Sequence, residues 1–167
     1  MTLKTGNNRI EEKLKEKFNS SVLYTEETYG MLTVTVNKNE IIPIVRFLAE
    51  DEEMSFSFLT DLCGIHYEET EELGVIYHLH NFQKNIRIRL KTAFAKDKAH
   101  IDSIVSVFSS ANWMERETYD FFGICFKGHP DLRRILNMDE MDYFPLRKEY
   151  PVEDGSRTDK NDAMFGR

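Results

Sequence analysis

The chain has 167 residues, of which 41% are hydrophobic and 12% aromatic, and its formal charge is −7 at pH 7. This composition predicts one folded domain with a substantial core and excludes wholesale disorder. The acidic balance disfavours binding to nucleic acid or to an anionic membrane through the overall field of the protein.

The first part of the chain predicts two helices and five strands. Ile10, Leu14 and Phe18 recur at helical spacing and predict a helix over 9–18. A second helix is predicted over 40–51, with Asn37 or Asn39 as its cap. Strands are predicted over 22–27, 31–37, 55–68, 74–82 and 86–94.

The strand at 86–94 has the clearest alternation. It places Ile86, Ile88 and Leu90 on one face and basic side chains on the other, namely Arg87, Arg89 and Lys91. Strands flanked by helical segments predict an α+β fold with one mostly antiparallel sheet. We predict this core over residues 1–123 and an extended, irregular C-terminal arm with a tail over 124–167.

The segment after Gly123 contains three prolines and no long periodic stretch. Residues 131–138 predict a short helix begun by Pro130, and residues 145–151 predict an extended conformation. We expect order up to Pro151 and fraying beyond it. The apolar anchors that predict this order are Phe126, Leu132, Ile135, Leu136, Phe144 and Leu146.

Redox and nucleotide chemistry find little support in the sequence. Cys63 and Cys125 are the two cysteines, which are too few for a disulfide framework or an iron–sulfur cluster. They favour a reducing compartment. No glycine pattern matches a dinucleotide cradle. No secretory signal is visible, and the longest apolar runs fall far short of the ~18 residues of a membrane span.

One alternative function is metal binding. Cys63 and His66, and His78 and His80, are residue types that ligate zinc or iron, and the last two share one face of a strand. Their spacing matches no common zinc pattern, so side chains on a sheet surface are the simpler interpretation.

Residues 101–122 place two polar residues, Asn112 and Glu115, in an otherwise apolar helical stripe. We expect Asn112 to cap a second helix with Glu115 at its third position. The alternative is a continuous helix in which Glu115 is a buried carboxylate with a cationic partner. Arg116 and Asp120 lie four residues apart and are able to pair.

The most specific signal is the block ANWMERETYDFFGICFKGHPDLRRIL at 111–136, followed by PLRKEYP at 145–151. It resembles the signature of the C subunit of the proton-pumping NADH:quinone oxidoreductase, respiratory complex I. The resemblance extends over roughly residues 55–152. One departure precedes PLRK, where Tyr143 and Phe144 stand in place of the tryptophan and glycine common in the family.

The resemblance implies a subunit of the peripheral arm that carries no cofactor, with FMN and iron–sulfur clusters in partner subunits. It implies docking on the D subunit, which holds the quinone site, near the cluster-bearing subunits. It places the chain on the cytoplasmic side of a bacterial inner membrane. Related chains occur in membrane-bound hydrogenase-type complexes, which is the alternative assignment. The block and the arm supply the predicted partner contacts: Trp113, Glu115, Arg116, Glu117, Asp120, His129, Arg133, Arg134, Leu146, Arg147 and Lys148.

Overall fold

A five-stranded sheet with the order β1-β2-β5-β4-β3 forms the centre of the fold. The computed structural model describes residues 3–150, so the fraying predicted beyond Pro151 lies outside the described residues. Strands β2 and β5 pair in parallel, and the other neighbours pair antiparallel. The strands are Val22–Thr28 (β1), Met31–Val36 (β2), Phe58–Tyr67 (β3), Glu72–Asn81 (β4) and Ile86–Ala95 (β5).

Three helices and a small second sheet complete the described chain. Helix α1 spans Leu3–Phe18, α2 spans Ile41–Glu50 and α3 spans Ala111–Phe122. The strands His100–Asp102 (β6) and Cys125–Lys127 (β7) pair in parallel. The predicted α+β class with a mostly antiparallel sheet is therefore confirmed. None of these helices is long and apolar enough to cross a membrane within residues 3–150.

The core lies between one face of the sheet and the helices. Strands β2 to β5 bury side chains on this face, such as Leu32 of β2 and Leu90 of β5. Ile10 and Leu14 of α1 and Ile44 of α2 belong to the same apolar cluster. The period-two pattern at 86–94 thus predicted correctly that Ile88 and Leu90 enter the core.

The cap of α2 lies one turn earlier than the helix itself. The Asn37 side chain accepts the N–H of Asn39 at 3.0 Å and so begins a short 3-10 turn at Lys38–Glu40. Helix α2 continues directly from that turn, and Pro43 lies in its first turn, where a missing N–H has no cost.

The predicted cap at Asn112 is wrong. Helix α3 begins at Ala111 after Ser110, so Asn112 lies inside the helix and Glu115 lies beyond the third position. Ile101, at the start of the predicted helical stripe, belongs to strand β6 instead. The stripe misleads because its first residues, 101–108, form a strand and a turn that pack against α3.

Two local predictions for the arm are also wrong. Residues 131–138 form no helix, because the N–H groups of 135–137 donate to a side chain of α3 and not to the preceding turn. Residues 145–150 form consecutive turns and no extended segment. The N–H of Arg147 donates to Phe144 O, and the N–H of Tyr150 donates to Arg147 O.

Candidate functional site

The C-terminal arm, residues 124–150 of the described chain, folds back against α3 immediately after the helix ends. Gly123 has φ 71°, and its N–H donates to Tyr119 O at 2.8 Å. A Cβ at this position would approach the Phe144 ring to 2.5 Å and the Arg147 guanidinium to 2.6 Å. Glycine is therefore required here by both the left-handed conformation and the close packing.

Asp120 organises the arm from inside the protein. Its side chain is fully buried. Oδ2 accepts the backbone N–H groups of Ile135, Leu136 and Asn137 at 2.8–3.1 Å. Oδ1 accepts from the Arg134 guanidinium at 2.8 Å. Burial opposes the charged form, but these donors outweigh it and hold the pKa of the Asp120 carboxyl well below its usual range.

Arginine side chains satisfy the carbonyl groups of the same segment. Arg134 donates to Met141 O and Tyr143 O, at 2.6 and 3.2 Å. Arg116 donates to the carbonyls of Arg133 and Arg134, at 3.2 and 3.1 Å. Arg116 therefore pairs with backbone oxygens and not with Asp120, the partner that the four-residue spacing allows. Irregular backbone is stable here because side chains of α3 and the arm replace its missing secondary-structure bonds.

A histidine fixes the start of the arm to α3. His129 Nδ1 accepts the N–H of Asp131 at 3.0 Å, and Nε2 lies 3.0 Å from Asn112 O. Because Nδ1 is an acceptor, the proton of the neutral ring belongs on Nε2, where it donates to that carbonyl.

The end of the arm contacts the sheet. Arg147 Nε donates to Phe122 O at 2.7 Å, and the Lys148 N–H donates to Nδ1 of His66, on β3, at 2.9 Å. Glu149 lies 2.8 Å from Lys96 Nζ. These contacts return the turns of 145–150 to the core domain.

Glu115 is a second buried carboxylate, and its partners are neutral. The Ser103 hydroxyl donates to Oε2 at 2.6 Å and the Ile104 N–H donates to Oε1 at 2.8 Å. Burial raises the pKa of Glu115 to about 7, although both donors favour the charged form. Glu115 is thus buried as the alternative expected, but the helix is not continuous over 101–122, and no cationic side chain within residues 3–150 pairs with this carboxylate.

Helix α3 and the arm expose several large apolar side chains. We call the surface formed by α3 and the arm the docking surface, and define it by Trp113, Leu136, Met138, Tyr143, Leu146 and Tyr150, which are 38–69% exposed. Large exposed apolar groups of this kind are typical of protein–protein contact sites.

The predicted docking residues divide into two groups. Those at the surface are Trp113, Glu117, Arg133, Leu146 and Lys148. The others make hydrogen bonds within the chain, namely Glu115, Arg116, Asp120, His129, Arg134 and Arg147. Only the charged residues of the first group are therefore available to form ion pairs with a partner. The side chains of the second group already make hydrogen bonds within this chain. Docking itself stays a prediction.

Residues 34–156 match the family described as "Respiratory-chain NADH dehydrogenase, 30 Kd subunit". The chain belongs to this family. Two relatives, both named as the C subunit of NADH-quinone oxidoreductase, are of similar length. The relative in Geotalea uraniireducens (strain Rf4) is 40% identical over 90% of this chain and 92% of its own. The relative in Geobacter sulfurreducens is 41% identical over 90% and 93%.

Solved structures agree with membership of the 30-kDa subunit family. A trypsin-resistant fragment of Nqo5 is 27% identical, with a TM-score of 0.63 over 76% of this chain and 99% of the fragment. A chain of the membrane-bound sulfane sulfur reductase, an archaeal respiratory membrane complex, has a TM-score of 0.72 over 87% and 85%. At 24% identity, the second shows a shared fold alone. The family resemblance seen in the sequence is confirmed.

The four side chains of the metal-binding alternative do not come together in the described structure. Cys63, His78 and His80 lie on one side of the sheet, whereas His66 lies on the other, opposite Leu73. Among the described residues, no three histidine, cysteine or carboxylate side chains lie close enough together to share a metal ion.

Sequence reasoning missed several residues of the surface and its support. Its apolar pattern assigns Leu136 to the interior with the other anchors, yet Leu136 is exposed, as are Met138 and Tyr143. His66 and Lys96 support the arm from positions distant in sequence. The helical pattern at 131–138 did not indicate that Leu136 and Met138 are exposed. The conformation of this segment depends on hydrogen bonds from 135–137 to Asp120, which no local sequence pattern shows.

Proposed function

We propose that the chain is a structural subunit of the peripheral arm of an NADH:quinone oxidoreductase, and that it docks through the docking surface on the quinone-site subunit. Electron transfer from NADH to quinone, coupled to proton translocation, belongs to the assembled complex. FMN and iron–sulfur clusters lie in partner subunits. The complex holds the chain at the cytoplasmic side of a bacterial inner membrane.

The observation that carries this proposal is the contrast between the interior and the surface of the arm. Its polar backbone groups are bound by Asp120, Arg116 and Arg134, so the segment keeps its conformation without a partner. Its surface exposes the apolar side chains of Leu136 and Met138. A preformed apolar surface of this kind loses little conformational entropy on binding and therefore favours association.

The charged residues around the docking surface give the contact its orientation. Glu117 of α3 and Arg133 and Lys148 of the arm are exposed on the same two segments as the apolar side chains. At the rim of an interface, such charges select the partner and fix the register more than they add affinity. Family membership and the names of the relatives support a place in an NADH:quinone oxidoreductase, and the resemblance seen in the sequence implies the quinone-site subunit as the partner.

The test compares substitutions of equal chemistry on two surfaces. Leu136→Asp with Met138→Asp alters the docking surface, and Leu23→Asp is the control, because Leu23 is similarly exposed on β1 at 63%. We expect the double variant to fold normally but to lose the quinone-site subunit during purification of the complex, and the membranes to lose NADH:quinone activity. The control retains both. Retention of the quinone-site subunit by the double variant would refute the proposed contact.

A further inference from the structure

The side of the five-stranded sheet that faces away from the core carries no helix within residues 3–150. Helices α1 and α2 pack on the opposite side, in the apolar cluster that includes Leu32 and Leu90. We call the uncovered side the open face. Strand register assigns it the alternate residues of β3, β4 and β5, including Phe58, His78, His80, Arg87 and Arg89.

The centre of the open face is basic. Arg87, Arg89 and Lys91 project from β5, and neighbours on one face of a strand are about 6.6 Å apart. Lys91 Nζ lies 3.4 Å from the Glu26 carboxylate. Arg89 instead donates to Nε2 of His78 at 2.9 Å. Burial and the neighbouring Arg89 lower the pKa of His78, so this acceptor is neutral.

Within residues 3–150, the two arginines therefore lack an acidic partner. Arg87 is exposed, and neither Arg87 nor Arg89 has a carboxylate at salt-bridge distance within the described chain. Asp61 is nearby on β3, but it faces His78 Nδ1 at 3.8 Å and lies at the edge of the open face. The available positive charge is thus central, and the acidic groups are at the margins.

An exposed aromatic pair adjoins these arginines. The rings of Phe58 and Phe82 are 5.0 Å apart, and Phe82 lies 4.3 Å from the His80 ring. His80 is opposite Arg87 in the strand register. Phe58 and Phe82 are 46% and 60% exposed. Arginine beside aromatic residues is the composition enriched at the centres of protein interfaces.

We propose that the open face is a second interaction surface, and that it binds an acidic amphipathic helix of a neighbouring subunit. Carboxylates four residues apart on a helix are separated by about 6 Å, which matches the spacing of Arg87 and Arg89 on their strand. An apolar residue of the same helix would pack on Phe58 and Phe82.

This proposal requires membership of a multi-subunit complex but not the docking surface, which lies elsewhere. The arm reaches β3 at His66, on the core side of the sheet, whereas Phe58 is at the other end of that strand on the open face. The two surfaces are therefore able to bind different partners at the same time.

Hydroxyl-radical footprinting of the intact complex and of the isolated chain tests both surfaces together. We expect Phe58 and Phe82 to react about tenfold more slowly in the complex, as for residues at the centre of an interface. Tyr29, fully exposed in the β1–β2 turn, is the internal reference. Unchanged reactivity of Phe58 and Phe82 overturns the open-face proposal. Unchanged reactivity of Leu136 and Met138 overturns the docking surface instead.

Zero-length carbodiimide crosslinking tests the chemistry of the partner. The single variants Arg87→Lys and Arg89→Lys each place an amine where a guanidinium lies, and carbodiimide joins such an amine only to a carboxylate in contact with it. We expect crosslinks to aspartate or glutamate in a helical segment of a neighbouring subunit, identified by mass spectrometry. Crosslinks confined to this chain, or none, overturn the acidic helix even where Phe58 and Phe82 are protected.

Charge reversal provides the energetic test. Arg87→Glu with Arg89→Glu should weaken retention of that neighbouring protein about tenfold or more, since like charges at an interface repel. Arg46→Glu is the control for charge reversal at an exposed arginine away from the open face. Arg46 lies on α2, where its guanidinium makes only a loose, exposed pair with Glu50 at 3.9 Å. Equal retention of the neighbouring protein by both variants refutes the role of the two arginines.

Discussion

Glu115 couples the protonation of a buried carboxyl to the stability of the fold. Its pKa is raised from 4.5 to about 7, mainly by burial. The neutral form is therefore preferred in the folded state. The stability that this preference contributes is complete below the unfolded pKa and is lost as pH rises through the folded pKa.

The variant Glu115→Gln tests this coupling, because glutamine keeps the shape of the neutral acid. Between pH 5 and pH 8, the free energy of unfolding of the wild type should fall relative to the variant by up to about 3 kcal/mol. Urea unfolding of both proteins at the two pH values measures the difference. Histidine titration is common to both and cancels. Identical pH dependence in the two proteins would contradict a neutral Glu115.

Asp120 has the opposite behaviour, since its pKa is held below the usual range. Its contribution to stability is present above the unfolded pKa and is lost as pH falls towards the folded value. Asp120→Asn replaces the carboxylate that pairs with Arg134 by a neutral amide. One acceptor oxygen of the side chain becomes an N–H donor. We expect a loss of about 3–5 kcal/mol at pH 7, the cost of breaking a buried ion pair.

Glu117→Gln on the same helix is the control for Asp120→Asn. Glu117 is exposed, so its substitution should change the free energy of unfolding by no more than about 0.5 kcal/mol. Chemical denaturation of the three proteins decides the matter. A similar small effect for both variants would mean that Asp120 does not organise the arm.

At the scale of elements, the stability of the irregular arm depends strongly on Arg134 and little on its neighbour Arg133. The Arg134 side chain is 10% exposed and bridges Asp120 to the backbone at 141–143, whereas the Arg133 side chain is 69% exposed and pairs with the exposed Asp131. Arg134→Ala should therefore lower stability by about 3 kcal/mol or more, and Arg133→Ala by less than about 0.5. Thermal melting of the isolated variants compares them directly, and equal losses would refute the bridging role.

Amide hydrogen exchange gives a second prediction for the arm. The N–H groups of Leu136 and Asn137 donate to Asp120, and that of Lys148 donates to His66. We expect all of these amides to exchange slowly in the isolated chain, because protected bonds open only with local unfolding. His66→Phe should accelerate Lys148 alone. Fast exchange throughout the arm of the wild type would mean that a partner is needed to order it.

The strands were predictable from the sequence because their signal is local. Alternation at 86–94 fixed both the element and its buried face, as Ile88 and Leu90 show. The arm was not predictable in the same way, since the bonds of Asp120 join residues separated by 14 to 17 positions. The signature identified the family, but not which of the charges in its block are buried.

The whole molecule presents two surfaces of different physical character. The docking surface exposes large apolar side chains such as Leu136 and Met138, whereas the open face combines aromatics with Arg87 and Arg89, for which residues 3–150 supply no carboxylate partner. Hydrophobic contacts are not weakened by simple salt, but contacts between exposed charges are screened. Ionic strength should therefore separate the two proposed partners.

Raising the ionic strength from about 0.1 M to about 1 M shortens the Debye length from about 10 Å to about 3 Å. We expect Phe58 and Phe82 in the purified complex to regain radical reactivity as the acidic helix dissociates, while Leu136 and Met138 stay protected. The footprint of the isolated chain at both salt concentrations is the reference. Simultaneous release of both surfaces would mean that they bind one partner through a shared contact, since independent surfaces of unlike chemistry must respond differently to screening.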